Sequence, residues 1–188
     1  MISPVAGEPV PEVRRDESPL VSVRGLFFRA VDPDYAAEAL SGSRSEGRYS
    51  PAGVPTLYLS SSPEGVAAAM IKHTTERASS LHVLPFEVEA NHIADLRDDS
   101  AMARMGVDAE DAFGDWQHEL RSASTPKSWR VRSQLEDAGA LGLIDPSRKQ
   151  SGLWHLTLFS WNAPNSPSVR IARRVPRGSA TSSRRPSE

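Results

Sequence analysis

Two arginines, Arg29 and Arg48, are the side chains of this sequence best suited to bind an anion. Arg29 interrupts an apolar strand pattern, where an unpaired guanidinium is destabilising if it is buried. Arg48 follows a glycine and precedes a Pro/Gly turn, whose backbone amides can also face an anion. Because a guanidinium binds phosphate through two parallel hydrogen bonds, one interpretation is a phosphate-bearing ligand held by both. The other is a salt bridge to Asp32, Glu38 or Glu46.

Two tyrosines and a serine have the chemistry to complete such a site. Tyr58 lies in a short apolar strand pattern, where it is either a core aromatic or a ring that stacks on a flat heterocycle such as nicotinamide. Tyr49 is equally placed to line a pocket. Ser147 follows Pro146 in a predicted loop, a position typical of turn residues. No Gly-x-Ser-x-Gly motif surrounds it, so its hydroxyl is a candidate for hydrogen bonding to ribose or phosphate rather than a triad nucleophile.

Composition excludes several other functions. The chain of 188 residues has no cysteine, which excludes disulfides, thiolate metal sites and a cysteine nucleophile. Its five histidines show no ligand spacing, so no metal is expected. A net charge of −2 gives no general argument for direct nucleic-acid binding. Neither a signal peptide nor a membrane-spanning run is recognisable, and we therefore expect a cytoplasmic protein.

The sequence divides into three segments. Residues 1–20 are rich in proline and poor in large apolar side chains, and residues 162–188 form a basic Ser/Pro/Arg-rich tail. Both compositions are typical of disordered or extended segments. Residues 21–161 are predicted to form one domain of the α+β class, with mainly antiparallel strands and flanking helices. Strands are expected at 21–31, 56–60, 81–88, 91–96, 140–144 and 153–161, and helices from Pro63, at 108–120 and from Pro126 to Gly139.

Several short motifs, taken in order, resemble the RES domain, which is the toxin half of many bacterial toxin–antitoxin pairs. Each motif alone has little specificity, but their order and separations are similar to those of the family. The motifs are Phe28-Arg29, Gly47-Arg48-Tyr49, Leu57-Tyr58, Ser62-Pro63, Thr125-Pro126 with Trp129, Gly139 to Gly142, and Pro146-Ser147-Arg148.

The resemblance implies a fold similar to ADP-ribosyltransferase toxins, with a cleft for NAD⁺ as substrate. Family members cleave the bond between nicotinamide and ribose, with water, phosphate or a protein as acceptor. It implies that Arg29 and Arg48 hold the phosphates, Tyr58 lines the nicotinamide pocket and Ser147 contacts the ligand. The partner it implies is a helix-turn-helix antitoxin of the Xre type, with which the toxin can form oligomeric complexes.

One departure from the family pattern limits the functional prediction. The family's catalytic Glu stands eleven residues after the strand Tyr, on the inward face of the following helix, and Ala69 occupies that position. Three explanations remain open: an engineered exchange, a natural loss that leaves a non-catalytic nucleotide- or partner-binding module, or a substitute acid such as Glu64.

Overall fold

The computed structural model describes residues 10–70 and 81–172, which form seven strands and five α-helices. The strands are β1 (Glu12–Arg14), β2 (Leu20–Val31), β3 (Leu57–Ser60), β4 (His82–Asp95), β5 (Gly142–Pro146), β6 (Trp154–Leu158) and β7 (Ser168–Ile171). The helices are α1 (Pro63–Met70), α2 (Asp99–Arg104), α3 (Ala109–Phe113), α4 (Trp116–Arg121) and α5 (Lys127–Asp137), with a 3₁₀ helix at Pro33–Glu38. Within these ranges, every helix is too short or too polar to cross a membrane.

The strands form one sheet that closes on itself. Their order is β1-β2-β3-β6-β5-β4-β7, and an additional long pairing of β2 with β4 joins the inner five strands into a ring. All pairings are antiparallel except that of β4 with β5. This architecture confirms the predicted α+β class with mainly antiparallel strands.

Side chains alternate between the two faces of each strand, and each face is covered by a different core cluster. The first cluster includes Phe27, Val31, Leu57, Leu59 and Ile144, among others. The second cluster is formed by the other face together with the helices and includes Tyr49, Leu96, Ala112, Leu135 and Leu143. Any polar residue of the sheet can therefore be assigned to one face by its position relative to these residues.

Two of the predicted elements differ from the structure. The strands expected at 81–88 and 91–96 are one strand, β4, which continues through His92 at a positive φ of 60°. The helix expected at 108–120 is divided at Gly114 into α3 and α4. The helix expected from Pro126 is α5, and the Glu119 carboxylate accepts the amide hydrogen of its first residue, Lys127, at 3.0 Å.

The sheet extends beyond both ends of the predicted 21–161 domain. On the N-terminal side β1 pairs with β2, and Arg15 donates to the buried carboxylate of Asp95. On the C-terminal side β7 pairs with β4, and the Asn162 side chain both donates to and accepts from the Val169 backbone. The composition of these segments does not predict that they are ordered, because a few specific pairings can hold a polar stretch against a sheet edge. Residues 1–9 and 173–188 of the predicted tails lie outside the described ranges.

Helix α5 fixes the loop that carries Arg48. Trp129 Nε1 donates to the Gly47 carbonyl at 2.8 Å, and the Ser128 hydroxyl donates to the Arg48 carbonyl. Arg132, which is 5% exposed, donates through Nη1 to the Tyr49 carbonyl at 3.1 Å. Three consecutive carbonyls thus accept hydrogen bonds from three side chains of one helix, which gives an irregular loop a defined shape.

We expect Arg132→Met to destabilise the fold by about 2 kcal/mol or more, because it leaves the buried Tyr49 carbonyl and Thr56 hydroxyl without their donor. Arg130→Met is the matched control on the same helix. Arg130 is exposed and its nearest approach to Asp111 is a long 3.9 Å, so we expect this exchange to change the free energy of unfolding by no more than about 0.5 kcal/mol. Urea unfolding of both variants measures the difference. Equal destabilisation of the two would show that Arg132 does not have this role.

Candidate functional site

Arg48 lies over the C-terminal end of α3. Its Nη1 donates to the carbonyls of Ala112 at 3.2 Å and Gly114 at 2.8 Å. The side chain is half-buried, and burial, followed by the nearby charge of Arg148, lowers its pKa from the ordinary value. Within the described ranges, its Nε and Nη2 groups have no protein acceptor, so one edge of the guanidinium fork is available to a ligand.

Tyr49 belongs to the core rather than to a pocket. Its side chain is 1% exposed, its hydroxyl donates to the Ala112 carbonyl at 3.3 Å, and burial raises its pKa well above the ordinary value. A ring packed in this way has no surface to offer a ligand. The placement therefore gives no support to the prediction that Tyr49 lines the binding site.

Tyr58 lies directly beneath the loop of Arg48. Its ring packs against the second cluster, and its hydroxyl accepts from the Tyr49 amide at 3.3 Å and lies 2.9 Å from Ser50 Oγ. Gly47 has to be a glycine here, because a Cβ atom would approach the Tyr58 hydroxyl to 2.5 Å. Burial raises the pKa of Tyr58, so it is a neutral hydroxyl close to Arg48.

Asp145 is the residue of this site that sequence reasoning missed. It stands near the end of β5 on the same face as Leu143, a member of the second cluster, and is 8% exposed. Burial raises the pKa of its carboxyl to about 7, against the opposing effects of the Arg48 and Arg148 charges. The available signal was an Asp directly after the apolar strand residues Leu143 and Ile144, where a charged side chain is unexpected.

Arg148 and Ser147 follow Asp145 in the loop between β5 and β6. Arg148 is exposed and donates through Nη1 to the Phe113 carbonyl at 3.1 Å, beside the acceptors used by Arg48. The Ser147 hydroxyl accepts from the amides of Lys149 and Gln150, both at 3.4 Å, as a turn residue does. Ser147 therefore shapes the loop that carries Arg148, and no contact joins it to Arg48 in the structure.

The site has an excess of positive charge. Arg48 and Arg148 are close enough for each to affect the electrostatics of Asp145, yet no carboxylate of the described residues lies within salt-bridge distance of either guanidinium. The predicted alternative of a salt bridge from Arg48 to Asp32, Glu38 or Glu46 does not form. The acids that act on Arg48 are Asp145, which is buried and only partly ionised near neutral pH, and the exposed Asp115. The pair of guanidiniums is suited to bind an anion.

Arg29 is on the other face of the ring. It stands two residues from Phe27 and two from Val31, so it shares the face of the strand that belongs to the first cluster. Its Nη1 donates to the Ala39 carbonyl at 2.8 Å. Burial lowers its pKa, and no acidic partner lies within salt-bridge distance among the described residues. The structure therefore does not bring Arg29 together with Arg48, and their predicted convergence on one diphosphate is not supported.

Ala69 is exposed on α1, a helix whose N-terminus is capped by the Ser62 hydroxyl accepting from the Gly65 amide at 3.1 Å. The expectation that position 69 points inward is wrong, because Val66 and Ala68 provide the buried side of this helix. A longer side chain at position 69 would reach solvent or a bound ligand rather than the core. Glu64, the proposed substitute acid, is also exposed, in the first turn.

A groove of about 300 Å³ lies elsewhere, across β2, β4 and β7. Its walls include Arg24, Glu87, Glu89 and Arg170, of which Arg170 and Glu87 form an exposed ion pair. Opposite charges that face water and each other are typical of a solvated sheet surface. We therefore base the candidate site on the arrangement of Arg48, Tyr58, Asp145 and Arg148 rather than on this groove.

The raised pKa of Asp145 predicts a specific dependence of stability on pH. Between its ordinary value of 3.8 and about 7, the unfolded chain has lost this proton while the folded protein keeps it, so the free energy of unfolding falls as pH rises. Asp145→Asn removes the titrating carboxyl group, and the free energy of unfolding of the variant should therefore lack this decrease. Urea unfolding from pH 4 to pH 8 should show the variant gaining stability relative to the wild type up to about pH 7. A constant difference across this range would contradict the assignment.

Comparison with known proteins agrees with this architecture. A model of the RES domain matches residues 26–181. A solved chain from the M. tuberculosis MbcT–MbcA toxin–antitoxin complex has a similar fold, with a TM-score of 0.52 and 16% identity over 81% of this chain and 86% of that one. No curated protein sequence matches. Since the family model spans most of the sequence and includes every residue of the candidate site, the chain belongs to the RES domain family.

Proposed function

We propose that this chain binds NAD⁺ and cleaves the bond between nicotinamide and ribose, with water or phosphate as acceptor. The observation that supports the proposal is the pair of guanidiniums, Arg48 and Arg148, which lie over the carbonyls of α3 without a salt bridge to any described carboxylate. A diphosphate supplies the negative charge that this site lacks. The proposal carries with it a cytoplasmic location, where NAD⁺ is abundant, and the ADP-ribosyltransferase-like fold that the family resemblance implies.

The geometry suggests a distribution of roles. The free edge of Arg48 binds the phosphates in two hydrogen bonds, and Arg148 adds a second cation from the opposite loop. The partly exposed Tyr58 ring lines the adjacent surface, where nicotinamide is expected to lie, while its hydroxyl is held by the loop above it. Ser147 supports the Arg148 loop, and Arg29 lies outside this site.

These residue types suit the chemistry of a glycosidic bond. As nicotinamide leaves, it becomes neutral while positive charge develops on the ribose, so the transition state needs a fixed diphosphate and a nearby carboxylate. Positioning and electrostatic stabilisation are the contributions a protein can make to such a reaction. The arginines provide the positioning, because they fix the diphosphate.

Ala69 favours a second candidate function. Without a carboxyl group at this position, the chain is suited to act as a non-catalytic module that binds a nucleotide or a protein partner. Transfer of ADP-ribose to a protein is the related catalytic alternative. Binding of NAD⁺ without release of nicotinamide would select the non-catalytic function.

We also propose a toxin role with an antitoxin partner, because the similar solved chain comes from a toxin–antitoxin complex. The expected partner is a helix-turn-helix protein of the Xre type that covers the Arg48 site. If so, co-expression with a neighbouring gene of this class should give a complex that co-purifies and no longer binds NAD⁺. Undiminished NAD⁺ binding by such a complex would argue against a partner at this site.

Arg48→Ala is expected to weaken NAD⁺ binding by about 1.5–3 kcal/mol, the range for hydrogen bonds to charged groups. Isothermal titration calorimetry with NAD⁺ measures the change, and nicotinamide release measured by chromatography separates turnover from binding. Arg44→Ala is the matched control, because Arg44 belongs to the same loop but is exposed, and among the described residues its side chain bonds only to the Gly53 carbonyl, at 3.4 Å. Wild-type protein that fails to bind NAD⁺, or an Arg48→Ala variant that binds equally well, would refute the proposal.

A further inference from the structure

The buried carboxyl group of Asp145 lies on the same face of the sheet as Tyr58, and β6 separates the two strands that carry them. The two residues are connected through β6, where Thr157 opposes Tyr58 and His155 opposes Asp145. Because Thr157 and His155 are alternate residues of one strand, their side chains share a face in adjacent rows. Asp145 therefore lies one row beyond Tyr58, at the end of the sheet where the Arg148 loop begins.

Asp115, the other described acid that acts on the charge of Arg48, is placed differently: it is exposed and caps α4, where its carboxylate accepts from the His118 amide at 3.1 Å. Position 69 carries no carboxyl group, and Glu64 is exposed in the first turn of α1. Asp145 is buried and within electrostatic reach of Arg48 and Arg148, the groups proposed above to hold the diphosphate. A carboxylate beside the anchored phosphates and the nicotinamide surface is where the scissile bond requires one.

Resting on the proposed function, we propose that the Asp145 carboxylate is the catalytic base of this chain and accepts a proton from the water that attacks the ribose. The water oxygen bonds to the ribose carbon, and the bond from that carbon to the nicotinamide nitrogen breaks with its electron pair passing to the nicotinamide ring. The proton leaves the water for Asp145 and then passes to solvent. The products are ADP-ribose, neutral nicotinamide and one proton, so no further reactant is needed.

The surroundings of Asp145 suit a base that works near neutral pH. Burial raises its pKa to about 7, while the two guanidiniums keep part of the population ionised. Among the described residues, Tyr49, Tyr58 and His155 are further titratable groups near it, and Asp115 acts on Arg48. Burial raises the pKa of both tyrosines and lowers that of His155, whose Nδ1 lies 2.8 Å from Ser60 Oγ, so these three are neutral at pH 7.

Arg148 can change its hydrogen-bond partner at small cost. Its side chain extends from the β5–β6 loop to the Phe113 carbonyl, with which it forms one exposed hydrogen bond. A hydrogen bond of this kind contributes about 1 kcal/mol, so Arg148 can exchange it for contact with a phosphate.

The test measures NAD⁺ binding by calorimetry and nicotinamide release from pH 5.5 to pH 8.5. Asp145→Asn is expected to lower kcat by about 100- to 10,000-fold, the contribution of a positioned base. Its Kd for NAD⁺ should be retained or tightened, because a negative charge near the diphosphate is removed. Asp99→Asn, the same exchange at an exposed acid in the first turn of α2, is the matched control and should leave both quantities unchanged.

The pH profile gives a second, independent readout. Wild-type kcat/KM should rise with pH and reach a plateau above about pH 7, and this limb should be missing in Asp145→Asn. Arg148→Gln removes a charge that lowers the Asp145 pKa, so the limb should shift to higher pH. This shift decides the question even if Asp145→Asn fails to fold.

The outcomes separate the two proposals. Asp145→Asn with near wild-type kcat, or a pH limb that Arg148→Gln does not move, would overturn the role of Asp145 alone. Wild-type protein that binds NAD⁺ without releasing nicotinamide would also overturn it and would select the non-catalytic binding module. Wild-type protein that does not bind NAD⁺ would overturn the proposed function itself, and the role of Asp145 with it.

Discussion

The hydrogen bonds between α5 and the carbonyls of Gly47, Arg48 and Tyr49 determine the shape of the candidate site. This loop has no strand ladder of its own but two isolated bridges, Ser43 with Thr56 and Gly47 with Ser50, so its carbonyls depend largely on donors from elsewhere. With these donors supplied by α5, the Arg48 side chain lies over the end of α3, and the loop covers the Tyr58 hydroxyl. The segment around Trp129, which forms part of the family pattern, thus acts by positioning and need not contact a ligand.

The C-terminal end of α3 explains how the site keeps its charge. Arg48 and Arg148 donate to the carbonyls of Ala112, Phe113 and Gly114, which hold the guanidiniums in place. A carbonyl is a neutral acceptor, so this support orients the two cations without neutralising them, as a carboxylate would. The structure thereby combines a fixed geometry with an unsatisfied charge, and a bound anion gains from both.

Much of the fold was predictable from sequence, because it depends on local patterns. Apolar alternation located the strands around Phe27 and Leu57, and Gly139 takes the predicted left-handed conformation that ends α5. The site was less predictable, because its members meet only through strand register. Arg29 and Arg48 have similar sequence signals, yet alternation places Arg29 with the first cluster. Asp145 has the appearance of a turn residue before Pro146, and only the structure shows that it is buried and lies on the same face of the sheet as Tyr58.

The closed ring of strands also sets the order in which the protein can be completed during synthesis. Strand β3 pairs with β6, so Leu57 has no partner on that side until Leu158 has left the ribosome. The nascent chain therefore carries Arg48 and Tyr58 for most of translation without the strands that bring Asp145 to them. Pairings between segments so distant in sequence form slowly. All four residues of the candidate site are therefore synthesised before the ring that assembles the site can close, because closure depends on β6.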